Sequence, residues 1–276
     1  MSANEYLTKM LSEGYSPVRN SILSHLDLES MLASIKAFPE WTEGISSSKI
    51  FQEKVDNTTL IDSCTLRTGG RLTSEYLINQ GADVNIIDTR NPKWSALHYT
   101  VLGDDTETCQ KLVSAGADVN TTDNSESTPL HLAAYYKKLE LSRILMSGGA
   151  DLNFQNFNGR TPLHWAVFSS DLEFVQLFIS AGSDLNIQDK KGQTPLHHLL
   201  KIHGGDHSRH KAVVDLLIQH GADLTLKDSS GYTPLETHKL EIQRGADGFL
   251  KLKDSSGDTP LETPKNCLTC QEKYIK

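Results

Sequence analysis

Between residues 95 and 222 the chain restates one pattern of apolar and polar positions. Two apolar clusters at helical spacing are separated by a few polar residues, and turn-forming residues bracket each pair. In segment 156–186, Leu163, Ala166 and Val167 form the first cluster, and Phe174, Val175, Leu177, Phe178 and Ile179 the second. Asn158-Gly159 predicts a tight turn before them. Thr161 predicts a helix cap with Pro162 at the first helical position. Asp171 predicts the start of a second helix, and Gly182 its stop. One such unit cannot bury its own apolar faces and needs neighbours that do the same.

The neighbours are present. Thr128-Pro-Leu-His131, Thr161-Pro-Leu-His164 and Ser95-Ala-Leu-His98 recur in phase, and Gly116, Gly149 and Gly182 stand 33 residues apart. This period, with its TPLH and GADVN motifs, resembles the ankyrin repeat. The resemblance implies an all-α solenoid of helix-turn-helix repeats with β-hairpin loops over residues 57–247, about five full repeats and a truncated sixth. The first repeat, 58–85, is degenerate, with a longer turn expected between its helices over 67–72. The fifth has an insert, KIHGGDHSRHK, expected as a projecting loop before a helix over 212–219. Residues 248–276 hold a partial hairpin, because 250–263 nearly duplicates 224–237, and then a flexible tail.

Residues 1–14 form a polar lead-in, and 15–56 do not fit the period. Pro17 predicts one short helix carrying Val18, Ile22, Leu23 and Leu26. Asp27 caps a second with Leu28, Met31, Leu32 and Ile35, ended by Phe38-Pro39. Trp41, Ile45, Ile50 and Phe51 add apolar anchors. The order of Pro17, Ile22, Leu23, Leu26, Leu28, Leu32, Phe38, Trp41 and Phe51 resembles an F-box. That resemblance implies a helical hook binding the Skp adaptor of a cullin ubiquitin ligase. The alternative is a helical cap that only shields the first repeat.

Composition narrows the function classes. Net charge of −8 argues against nucleic acid or an anionic membrane as partner. No apolar run follows Met1 or approaches the length of a membrane span. Four cysteines make no disulfide framework, so a reducing cytoplasm or nucleus is expected, or a host cell if the chain is a secreted effector. No catalytic constellation is found and no cofactor is called for. His98, His131, His164 and His197 read as turn-fixing residues that bond local backbone. His203, His207, His210 and His220 read as a solvated loop without a completed metal set, and Cys267 and Cys270 as thiols of the tail.

The surface remains. The repeat register assigns Arg90, Lys93, Trp94, Phe157, Arg160, Lys190, Lys191 and Tyr232 to loop tips. It assigns Leu102, Tyr135, Tyr136 and Phe168 to the exposed ends of first helices, and Trp165 to the core. These tip and helix-end positions form the concave partner-binding face that the resemblance implies. Aromatic residues with arginine are what a protein interface prefers, and basic residues on an acidic chain point to an acidic or phosphorylated substrate segment. The expected function is protein binding. In one reading the chain is a ligase substrate receptor joining adaptor and substrate. In the other it is an ankyrin scaffold or inhibitor with a structural cap.

Overall fold

The computed structural model describes residues 24–37, 45–46, 51–52, 60–65, 70–89, 93–201 and 207–237. They belong to two compact units divided between Asp123 and Asn124.

The first unit contains α1 (Leu28–Ala37), α2 (Leu60–Thr65), α3 (Gly70–Asn79), α4 (Ala96–Gly103) and α5 (Thr106–Ser114). α1 starts where the sequence places it, with the Ser30 N–H donating to the Asp27 carboxylate at 2.7 Å. Its buried face of Leu28, Met31 and Leu32 joins Ile45 and Phe51 in one cluster. Leu26, Ile35, Leu72 and Tyr76 pack against that cluster, and the last two belong to α3. The Phe51 and Tyr76 rings meet edge to face at 5.6 Å.

Glu29 completes this joint. Its Oε1 accepts the Leu72 N–H at 2.8 Å, and its Oε2 accepts the Thr73 N–H at 2.7 Å and the Thr73 hydroxyl at 2.6 Å. The first N–H groups of a helix have no partner within it, and a negative charge there is favourable. α1 therefore supplies the cap of α3. The turn expected over 67–72 is corrected: α3 already begins at Gly70. The apolar contacts of Leu72 and Tyr76, together with the Glu29 cap, override the reluctance of Gly70 to be helical.

The second unit contains α6 (Pro129–Tyr135), α7 (Leu139–Ser147), α8 (Pro162–Ala166), α9 (Leu172–Ser180), α10 (Pro195–Leu200) and α11 (His207–Gln219). α8 continues as a single 3₁₀ turn, Val167–Ser169. α6, α8 and α10 share one start. Thr128, Thr161 and Thr194 are extended N-caps with φ between −81° and −87°, each followed by Pro. Asp171 caps α9 by accepting the Phe174 N–H at 3.1 Å. Leu130, Leu163, Leu196, Leu141, Leu145, Val175 and Phe178 fill the interior with almost no exposure. The helix expected over 212–219 begins earlier, at His207. Its first turn is polar, and periodicity sees only the buried Val213, Val214 and Leu217. A last helical turn at 234–237 buries Leu235 and Thr237.

The loop tips are turns, each closed at its base by a backbone bond, Asn156 N–H to Arg160 O, Asp189 N–H to Gln193 O and Asp228 N–H to Tyr232 O, with a second bond inside from the N–H of Gly159, Gly192 and Gly231 to the O of Asn156, Asp189 and Asp228. Among the described residues the one isolated β-bridge joins Ile87 and Ser95. Successive tips of the second unit are stitched together. Phe157 N–H donates to Ser125 O at 2.9 Å, Lys190 N–H to Asn158 O at 3.0 Å, and Ser229 N–H to Lys191 O at 2.9 Å. This close approach dictates Gly159 and Gly192. Both have positive φ, and a Cβ on either would lie 2.8 Å from the next tip's backbone nitrogen.

Gly182 also has positive φ, but a Cβ there meets nothing within 4 Å. Gly159→Ala and Gly192→Ala should therefore cost more than Gly182→Ala, which carries the left-handed penalty alone, about 1 kcal/mol. Urea titration of the three variants checks the order, and equal midpoints would remove the steric argument. Separately, Glu29→Ala should lower stability by about 1–2 kcal/mol through loss of the α3 cap, measured the same way.

Candidate protein-binding face

The histidines of the repeated motif are structural. The backbone N–H of Ser95, Thr128, Thr161 and Thr194 donates to Nδ1 of His98, His131, His164 and His197 at 3.0–3.2 Å. Nδ1 is thus the acceptor, and the ring proton sits on Nε2. In the second unit that proton reaches the next repeat. His131 Nε2 donates to Arg160 O at 2.9 Å, His164 to Gln193 O at 3.0 Å, and His197 to Tyr232 O at 3.1 Å. Each imidazole fixes its own helix start and ties it to the following tip.

Outside this buried tie, the first helices carry a row of rings. Tyr135 and Tyr136 meet edge to face at 5.0 Å, Tyr135 meets Trp165 at 5.3 Å, Trp165 lies 6.0 Å from Phe168, and Phe168 meets His198 at 5.6 Å. Tyr135 is 58% exposed and Phe168 41%. Trp165 corrects the sequence expectation of a core position, because it is only partly buried. The reason is its neighbour: the Arg160 guanidinium lies over the indole at 5.0 Å, so a charged group rather than an apolar one covers that face. Leu132, at the same position of the preceding repeat, is also only partly buried.

Asp189 organises this centre. Its Oδ1 accepts the N–H groups of Lys191 (2.8 Å) and Gln193 (3.0 Å). Its Oδ2 accepts His198 Nε2–H at 2.9 Å and lies 3.5 Å from Arg160 Nε. Burial alone would raise this carboxyl, yet the His198 bond and the two backbone bonds hold it well below the ordinary range. Burial pushes His198 down, so it donates as a neutral ring. At the tips, Lys190 Nζ sits 4.1 Å over the exposed Phe157 ring. Lys191 is exposed, and Tyr232 is 40% exposed on the next tip.

In the first unit, Trp94 is half-buried, stacked 6.1 Å from His98 and meeting Tyr99 edge to face at 5.2 Å, with its Nε1–H buried and without a hydrogen-bond partner among the described residues. Tyr99 donates its hydroxyl to Asp88 at 2.7 Å, and Leu102 is exposed. Cys64 and Cys109 have thiols pushed by burial up to about 11, unfit as nucleophiles. Among the described residues no group of three or more His, Cys, Asp or Glu side chains could hold a metal ion.

The family model for ankyrin repeats (3 copies) matches residues 68–156, 97–189 and 163–238, together more than half of the chain. This chain belongs to the ankyrin-repeat family. No curated protein matches it. Ankyrin repeats are protein-interaction modules, which gives the exposed ring row its context. No helix among the described residues is long and apolar enough to cross a membrane.

Of the residues that sequence assigned to the partner face of this ankyrin chain, Tyr135, Tyr136, Phe157, Arg160, Phe168, Lys190 and Lys191 lie at consecutive first helices and tips of the second unit. Tyr232 lies one tip further, Trp94 and Leu102 belong to the first unit, and Arg90 lies outside the described residues. Of the adaptor-binding set, Leu28 and Leu32 are buried and Leu26 is partly buried against the same cluster. Pro17, Ile22, Leu23, Phe38 and Trp41 lie outside the described residues, as do His203, Cys267, Cys270 and the duplicated segment 250–263.

The neutral imidazoles carry a pH signature. Burial lowers His164 to about 4 and lowers His197 and His198 too. The unfolded chain binds these protons at higher pH than the folded one. Stability is therefore complete above about 6.5 and falls as pH drops toward 4, for His164 by on the order of 3 kcal/mol. Asp189, depressed from an ordinary 3.8, acts only below this window. Urea midpoints should fall between pH 7 and pH 4.5, and an unchanged midpoint would contradict the neutral ties.

Proposed function

We propose that this ankyrin-repeat chain works by holding a segment of another protein on the ring row of residues 124–237, with α1 acting as the cap of the first repeat. The observation that carries the binding face is the continuous contact of Tyr136, Tyr135, Trp165 and Phe168 across two successive repeats, with three of the four exposed. Rings standing in a row at a surface offer a large desolvation gain and are already ordered by one another. The observation that carries the cap is the Glu29 carboxylate on the N-terminus of α3.

A site-specific photo-crosslinker tests the face. Placed at Tyr135 or Phe168 of the full chain, in extract of the source cells, it should yield discrete protein adducts. Placed at Leu172, exposed at the start of a second helix, it should not. Equal labelling at all three positions would overturn the face.

The ubiquitin-ligase receptor is the second reading, favoured by the F-box-like order from Pro17 to Phe51. Against it, Leu28, Leu32 and Phe51 are spent inside the chain's own cluster. Titration of the full chain with purified Skp adaptor separates the two. The cap reading expects no binding at micromolar concentration. Tight binding that Trp41→Ala abolishes would replace the cap by the hook.

A further inference from the structure

The second unit's ring row is bordered by cations, on a chain whose net charge is −8. Arg160 lies over Trp165, Lys190 lies over Phe157, Lys191 is exposed beside it, and Lys201 follows α10. The acid among them, Asp189, is buried and fully engaged by His198, Arg160 and two N–H groups. At these tips Glu126 is the exposed acid among the described residues. Arg160 is set in place from two sides, its Nε toward Asp189 and its plane on the indole. A guanidinium fixed before binding loses little freedom when it pairs.

Resting on the reading of this face as a protein-binding surface, we infer that its occupant is an acidic peptide segment. An apolar side chain of that segment covers Tyr135, Trp165 and Phe168, and its carboxylates pair with Arg160, Lys190 and Lys191. Charge complementarity selects this occupant. A nucleic acid needs many phosphate contacts, typically six or more, and is repelled at distance by the acidic chain. A phosphate site gathers several arginines and free backbone N–H groups. Among the described side chains of this face one arginine is present, and the Lys191 and Gln193 N–H groups are already committed to Asp189.

Selection of random 12-residue peptides displayed on phage against the full chain tests this, followed by fluorescence anisotropy of the recovered peptides. Recovered sequences should be net acidic around a bulky apolar residue. Affinity should drop about tenfold or more in the exposed pair Lys190→Glu/Lys191→Glu, fall with added salt, and drop also in Phe168→Ala. Neutral or basic peptides that are still lost in Phe168→Ala would overturn the acidic occupant and leave the binding face standing. So would peptides that bind only when phosphorylated. Tighter binding of a labelled single-stranded oligonucleotide, with no acidic peptide recovered, would overturn it as well. Peptides unaffected by Phe168→Ala, or no recovery at all, would overturn the face together with the inference.

Discussion

The second unit depends on a hydrogen bond that reaches out of each repeat from a neutral imidazole. His131, His164 and His197 each accept from the cap residue of their own helix and donate to a carbonyl of the next tip. The bond does two jobs that elsewhere fall to separate residues, capping a helix and fixing its distance to a neighbour. Because the rings are buried, the bond is strong and a lost partner is costly. The tip-to-tip backbone stitches repeat the same logic further out, and Gly159 and Gly192 are the space they require.

This buried framework frees the outer positions of the first helices from any structural duty. Tyr135 and Phe168 contribute little to the interior, and they are large and exposed. Tyr135 packs on Tyr136 and Trp165, and Phe168 on Trp165 and His198. In the first unit a different solution appears. α1 spends its leucines and Glu29 on α3, so the degenerate first repeat gains from outside what its own sequence lacks.

Much of this was legible in the chain. The in-phase Thr-Pro-Leu-His and Gly motifs carried the repeats, Asp27, Asp171 and Gly182 carried helix boundaries, and the register gathered the exposed rings. What was hidden had physical causes. Trp165 looks like core because indole is apolar, and only the Arg160 guanidinium over it reveals a boundary position. α11 begins in a polar turn that hydrophobic spacing cannot register. α3 starts at Gly70 because a carboxylate 41 residues earlier in the chain caps it, and no local pattern contains that information. The Asp189 node was hidden in part for the same reason: the Lys191 and Gln193 N–H groups are local, but Arg160 stands 29 residues earlier and reaches it only through the fold.

The groups that fix the cations and rings of the face belong to adjacent repeats. Phe157 is covered by Lys190, and Arg160 is aimed by Asp189, one repeat on. Repeat stacks open from their ends inward, each unit leaning on its neighbours. Opening of the repeat that holds Asp189 and Lys190 would dissolve the site while the repeat holding Trp165 was still folded. Occupancy and local folding are then one equilibrium: a bound segment bridging both repeats would hold the later one closed, and fraying at that end would act as release.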